Sequence, residues 1–292
     1  MRKNMGHELR TSLIITTYNW PEALRATLGS VLRQSIIPAE VIVADDGSGP
    51  ETEKTVRQSL DKSTIKWRHV WHEDKGIRQA RIKNLGVRYS KGEYLIFIDH
   101  DVVLHPEFVK DHLSCAGKGV FLQGKRTFLS EHDTREALSR GESFPLPSFF
   151  AGKVGNRKNA LRAPAIGRFL SRKGGFQKSL RGCNLSLYRE DFLLADGFDE
   201  TFDGLWGRED SDLCYRLFNG GVKVMNLWFC AIQYHLHHPV RKNCKRDRLD
   251  EELERILKER RRKALRGFSQ LSDEGGILAS FLEENPDRKE AM

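Results

Sequence analysis

The sequence predicts an α/β fold: a mostly parallel, doubly wound sheet flanked by helices, followed by a helical C-terminal extension. Three observations predict it. Short apolar runs rich in β-branched and aromatic residues recur at 12–17, 40–45 and 94–98, the composition of strands buried on both faces. Segments with apolar residues at helical spacing separate these runs, and strand–helix alternation makes parallel sheets with right-handed crossovers. The runs end in Thr17-Tyr18-Asn19, Asp45-Asp46-Gly47 and Asp99-His100-Asp101. A parallel sheet gathers all three at the edge where open α/β sheets bind ligands.

Taken in order, residues 12–17, SLIITT, are a first buried strand, and Pro21 suits the first turn of a helix. Residues 21–34 carry Ala23, Leu24, Leu28, Val31 and Leu32 at helical spacing. EVIVAD, 40–45, is the second strand, and 51–60 a more polar helix. IKWRHVWH, 65–72, alternates as a strand does. Residues 77–90 form a third helix with Ile77, Ala80, Ile82, Leu85 and Val87 loosely on one side, which Lys91-Gly92 ends before the Tyr94–Asp101 strand.

The second half is less regular. A helix from His105-Pro106 to about Cys115 precedes a short strand at 119–123. Residues 130–180 are rich in Gly, Ser, Lys and Arg. They are expected to be a mobile loop over the site, because long loops in compact domains are commonly lids. A strand at 181–188, a short helix at 190–194, a helix at 208–218 and two short strands within 222–235 follow. A charged helix over 247–266 carries Leu249, Leu253, Ile256, Leu257 and Leu265 as a thin apolar stripe, expected to pack on the domain. The expected organisation is one domain, 1–240, and a basic helical extension, 241–292.

With 292 residues, 39% apolar and 30% charged, the chain can bury a full core and is not compositionally disordered. A formal charge of +9 and a pI near 9.3 imply an anionic partner. The excess is local: 152–181 hold nine Lys/Arg and no acid, and 241–266 hold twelve against six acids. The second run offers peripheral contact with an anionic membrane, at about 1 kcal/mol per basic residue near the surface. Nucleic acid is not an expected partner: the chain carries no nucleic-acid motif, and acidic strand ends repel phosphate unless a metal intervenes. Five cysteines without a C-x-x-C pair, and a polar start, MRKNMGHELR, fit free thiols in the cytoplasm. No window approaches the roughly 20 apolar residues of a spanning helix, so membrane contact would be peripheral, on the inner face.

The chemistry gathers at the strand ends. Residues i and i+2 of an extended chain point to the same side, so Asp99 and Asp101 can serve one site. Two neighbouring anions there suit a hard divalent cation, Mg²⁺ or Mn²⁺, especially one that also holds a diphosphate. The Asp45-Asp46-Gly47-Ser48 turn adds a carboxylate that can accept from a base N–H or a ribose hydroxyl. Glu209 and Asp210, in Trp206-Gly207-Arg208-Glu209-Asp210, favour a helix N-terminus by charge alone. They also offer a carboxylate to take the proton of an attacking hydroxyl.

SLIITTYN, EVIVADDGS, Gly76-Ile77-Arg78…Arg81…Asn84-Leu85-Gly86 and KGEYLIFIDHD resemble the N-terminal half of a GT-A-fold (Rossmann-like) family 2 glycosyltransferase. CNLSLYRE, ADGFDETF, LWGREDSDLCYRLF and Tyr234-His235 resemble the C-terminal half of β-1,4-galactosyltransferases and bacterial chondroitin-polymerase-type enzymes. The resemblance covers about half the chain. It makes 12–104 the nucleotide-sugar half and 181–238 the acceptor and catalytic half. It implies that Thr16, Tyr18 and Asp46 hold the uracil of a UDP-sugar, with Arg78 and Asp99 also binding the donor. Asp101 would bind the metal with a later histidine, His235 ahead of His237. Asp210 would be the general base, with Glu209 and Trp206 binding the acceptor; many relatives have Gly where this chain has Arg208. The function so implied is metal-dependent, inverting transfer from a UDP-sugar to a saccharide or lipid-linked saccharide hydroxyl, in bacterial surface polysaccharide or lipopolysaccharide synthesis. The alternative is a non-catalytic nucleotide-sugar or glycan-binding module on the same fold.

Overall fold

The computed structural model describes residues 9–141, 144–147, 155–171, 183–204, 207–239, 246–272 and 274–280. Strand β1 (Thr11–Thr17) leads into helix α1 (Pro21–Leu32), β2 (Glu40–Asp45) into α2 (Pro50–Leu60), and β3 (Lys66–Trp71) into α3 (Gln79–Arg88). Proline opens α1 and α2, where the missing N–H costs nothing. Strand β4 (Tyr94–Asp99) and the short β5 (Val102–Leu104) precede α4 (Phe108–Cys115), β6 (Val120–Gln123), β7 (Arg126–Phe128) and α5 (Glu131–Arg140). A 3-10 turn at Arg157–Ala160 and α6 (Pro164–Ser171) follow, then β8 (Asn184–Tyr188), α7 (Arg189–Leu194), α8 (Glu209–Asn219), β9 (Lys223–Asn226) and β10 (Gln233–His235). Helix α9 (Arg246–Lys258) and β11 (Gly276–Ser280) end the described chain.

Eight strands form the main sheet in the order β11-β3-β2-β1-β4-β8-β6-β9. The four central strands β3, β2, β1 and β4 run parallel; β8 and β11 join antiparallel on either side. Both faces are buried, and the two-residue period of the strands divides them. Ile14, Ile42, Val70, Leu95 and Phe97 face a core shared with α3, α7, α8 and α9. Leu13, Ile15, Val41, Val43, Ile96 and Ile98 face a core shared with α1, α2 and α4. The doubly wound sheet is therefore as the alternating sequence pattern predicts.

Three features were not legible. A second, three-stranded sheet, β5-β10-β7, stands at the edge of the first. Its strands are three residues each, too short to show a period. The C-terminal segment is more than a helix. Leu249, Leu253 and Ile256 of α9 are buried against the α8 side of the core, as the apolar stripe predicts, and the chain then returns to lay β11 along β3. Within 130–180, α5, the 3-10 turn and α6 are regular structure. Arg162 makes a two-pronged bond to Asp111 at 3.1 and 3.2 Å, and Ala163 N donates to Phe229 O; residues 142–143, 148–154 and 172–180 of the expected loop lie outside the described residues.

Candidate functional site

The parallel register sets the site. Thr16 pairs with Ala44 on one side and Asp99 on the other, and Thr17 pairs with Asp45, so the three polar strand ends lie in one row. The loops between them are tied locally. Asn19, at φ +44°, accepts from Gly49 N through Oδ1 at 3.0 Å, and its own N–H donates to Ser48 Oγ at 2.9 Å. Gly47 stands at φ +94°, and a Cβ there would lie 2.5 Å from the Asp74 Cα, so only glycine lets the two loops meet.

The sequence-predicted donor residues line this edge. Tyr18 is 36% exposed, and its hydroxyl donates to Asp74 Oδ2 at 2.9 Å. Asp46 is buried; Oδ1 lies 2.7 Å from His72 Nε2, and Oδ2 accepts from Arg78 N at 3.1 Å. The Thr16 hydroxyl is buried without a partner among the described residues. The Arg78 guanidinium donates to Glu73 O, while its buried Nε has no partner. Beyond Arg78 a polar cavity of about 290 Å³ opens, walled by Arg81, Asp203, Arg266 and Glu274.

Asp101 sits at the next corner. Strand β10 pairs antiparallel with β5, setting His235 opposite Val102, and Leu236 N donates to Asp101 O at 2.9 Å. That register brings His235 Nε2 to 3.3 Å from Asp101 Oδ2; His238 Nε2 lies 3.1 Å from the same oxygen. One ligand atom from each of the three residues falls within 4.8 Å of the others. His237 is not in the group; its backbone N–H donates to Thr134 Oγ1. Burial opposes charge on Asp101, but the hydrogen bond from His238 and the His235 imidazole bring its carboxyl down to about 2. Burial holds His235 below the usual imidazole range, against the pull of Asp101. Asp101 Oδ1 is buried with no partner among the described residues. An orphaned carboxylate oxygen beside two imidazole nitrogens suits a divalent cation. His100 turns away, its Nδ1 donating to Thr16 O at 3.1 Å.

Asp99 links this corner to the next. Burial, then the Asp101 charge, push its carboxyl up to about 7, against the pull of Lys83. Lys83, on α3, is 3% exposed, with Nζ 2.7 Å from Glu209 Oε1 and 2.8 Å from Asp210 Oδ1. Burial would discharge this lysine, but Asp210, Glu209 and Asp99 hold it above its ordinary value. Glu209 and Asp210 open α8 after Gly207 (φ +85°) and Arg208 (φ +82°), a pair of left-handed residues that turns the helix start towards α3. Arg208 points elsewhere, pairing with Asp250 of α9 at 2.5 Å. Trp206 lies outside the described residues.

Three residues near these groups were not singled out in the sequence. His238 had only its place in His235-Leu236-His237-His238 to mark it. Lys83 did carry a signal, because it falls on the helix face of Ala80, Asn84 and Val87, all buried. Arg126 carried none. It lies on β7 opposite Gln233 of β10, its charge is felt by Asp99, His235 and His238, and its buried Nε has no partner.

The family described as Glycosyl transferase family 2 matches residues 12–174, and one described as N-terminal domain of galactosyltransferase matches 172–239. Validoxylamine A glucosyltransferase of Streptomyces hygroscopicus subsp. limoneus is 35% identical over 230 residues, 75% of this chain and 50% of that protein. Chondroitin synthase of Escherichia coli is 29% identical over 256 residues, 80% of this chain and 35% of that one. The chain thus spans half the length, or less, of these curated relatives. Among solved structures, S. aureus TarS 1–349 in complex with UDP-GlcNAc aligns with a TM-score of 0.56 at 17% identity, over 86% of this chain and 66% of that one. Mannosyltransferase PcManGT from Pyrobaculum calidifontis, in complex with GDP-Man and Mn²⁺, aligns at 0.54 and 17%, over 77% and 56%. At such identities the likeness shows the fold, GT-A.

Proposed function

The chain belongs to glycosyl transferase family 2, and we propose that it moves a sugar from a UDP-sugar to a sugar hydroxyl with inversion at the anomeric carbon. The observation that carries this reading is the convergence of Asp101, His235 and His238 with the Lys83-held Asp210 around Asp99, on one edge of the sheet. Asp101, His235 and His238 would hold the divalent cation. A donor set with two nitrogens suits Mn²⁺ better than Mg²⁺, which prefers oxygen and water. Bound there, the ion would supply positive charge for the diphosphate leaving group.

The protein's own groups do the rest. Tyr18, Thr16, Asp46 and Arg78 seat the nucleotide, and Asp99 faces the ribose. Each oxygen of Asp46 keeps a second lone pair for a base N–H. Asp210 Oδ2 receives the acceptor's hydroxyl proton while the hydroxyl oxygen bonds to the anomeric carbon and the bond from that carbon to the phosphate oxygen breaks, releasing UDP. Glu209 and Trp206 position the acceptor. Attack from the face opposite the leaving group turns an α-linked donor into a β-glycoside. We place the reaction in surface polysaccharide or lipopolysaccharide assembly, a setting supported by similarity to chondroitin and hyaluronan synthases. The buried stripe of α9 is already used by the protein's own core, so that helix lends no apolar face to a membrane. Titration calorimetry tests the site: UDP should bind the wild type with Mn²⁺ present, and Asp101→Ala should remove that metal-dependent binding while the circular dichroism spectrum is unchanged. Undiminished metal-dependent binding by the variant would remove Asp101 from the site.

A further inference from the structure

We propose that Lys83 is a positioning residue for the transfer: its ammonium fixes the Glu209 and Asp210 carboxylates in the orientation from which Asp210 takes the acceptor's proton. The inference rests on the assignment of Asp210 as the base. Lys83 belongs to the nucleotide half of the chain and the two carboxylates to the other half, 126 and 127 residues later. Its Nζ meets both at 2.7 and 2.8 Å, with the Phe198 ring 5.1 Å away. Side-chain exposure is 6% for Glu209 and 21% for Asp210. The lysine therefore grips Asp210 by Oδ1 from the buried side, and Oδ2 is left without a hydrogen-bond partner among the described residues. The nearest cation in sequence, Arg208, is committed to Asp250.

A carboxylate on the first turn of a helix has several rotamers, and a general base works only within hydrogen-bond reach of its proton. One ammonium between two carboxylates restricts both. It also offsets repulsion among Glu209, Asp210 and Asp99, which share this pocket with the Cys183 and Cys214 thiols. The helix that carries Lys83 begins at the donor edge, beside Arg78, so the residue that holds the base sits on the element that follows part of the donor site.

The test measures transfer rate against pH, and UDP–Mn²⁺ affinity by calorimetry, in Lys83→Met and Lys83→Arg. Lys83→Met should lower kcat about 10²-fold or more with UDP–Mn²⁺ affinity within about twofold. The acid limb of its pH–rate profile should move to higher pH, because the paired carboxylates then lose the ammonium that contacts both. Lys83→Arg keeps the charge and should recover most of the rate and the wild-type limb. If Lys83→Met does not fold, Lys83→Met/Glu209→Gln is compared with Glu209→Gln, and the same loss and displacement are expected. Wild-type kcat and acid limb in Lys83→Met, or in the double variant against its parent, would overturn the proposal. Asp210→Asn separates the two readings. Normal transfer by it sinks the base assignment, whereas an inactive Asp210→Asn beside unimpaired Lys83 variants sinks only the positioning role.

Discussion

At the scale of single residues, the site shows which chemistry a sequence displays and which it conceals. Asp99, Asp101, Thr16 and Asp46 are legible because each follows an apolar run, and a strand end fixes where a side chain goes. His238 is not, because what it does depends on a partner more than a hundred residues away; for Lys83 the helix face signals burial but not the distant carboxylates it meets. The choice among the three histidines turns on backbone geometry. The His237 backbone N–H is anchored by Thr134 Oγ1, while the His235 and His238 rings meet Asp101. Losing one of the three proposed ligands should weaken Mn²⁺ binding by about tenfold or more, the scale even of outer-shell losses. His238→Ala should show that loss in a titration followed by Mn²⁺ electron paramagnetic resonance, and His237→Ala should stay within about twofold of wild type. The reverse order would reassign the ligand.

At the scale of elements, α3 joins the two halves. Asn84 donates to Phe198 O and accepts from Phe198 N, both at 2.9 Å and buried. Gly86 lets the helix approach the sheet, since a Cβ there would lie 3.1 Å from Ile14. Asp203 accepts from the N–H groups of Ala80 and Arg81, filling orphan donors of the first turn. The Asn-Leu-Gly run is thus structural, although in sequence it is recognised beside a donor residue. A second junction is polar and buried. His112 Nε2–H donates to Asn184 Oδ1 at 2.9 Å, and its Nδ1 accepts from Ser186 Oγ at 2.8 Å, which in turn accepts from Tyr94 OH. Burial brings His112 down to about 4, so it is neutral in the fold, while the unfolded chain protonates near 6.5. The unfolded state then binds more protons between those values, and stability is lost as pH falls from about 6.5 towards 4. The loss from this residue should be about 2 kcal/mol at pH 5 relative to pH 7.5. Urea unfolding of wild type and His112→Gln at both pH values measures it. An equal pH dependence in the two proteins would contradict the buried neutral imidazole.

At the scale of the whole molecule, the parallel half was readable almost strand by strand, because its long buried strands and amphipathic helices repeat one local rule. The second half was readable as elements but not as an arrangement. Strand β8 runs antiparallel to β4, and the small sheet brings Asp101 to His235. Neither pairing leaves a mark in local periodicity. The C-terminal segment shows the same limit: its charged helix was plain, but the strand Gly276–Ser280 beside β3 is five residues in a stretch without flanking pattern. The net charge of +9 fits the proposed diphosphate-bearing donor, a whole-molecule effect on encounter rather than on fold.

The central claim is that Asp210 deprotonates an acceptor in a single inverting displacement. Asp210→Asn keeps the size of the side chain and removes the proton acceptor. Its rate of transfer from an α-linked UDP-sugar, with product anomericity read by NMR, tests the claim most directly. A loss of about 10²–10⁴ in rate is expected, with UDP–Mn²⁺ affinity nearly unchanged and a β-linked product from the wild type. Near-normal transfer by Asp210→Asn, or an α-linked product from the wild type, would contradict it.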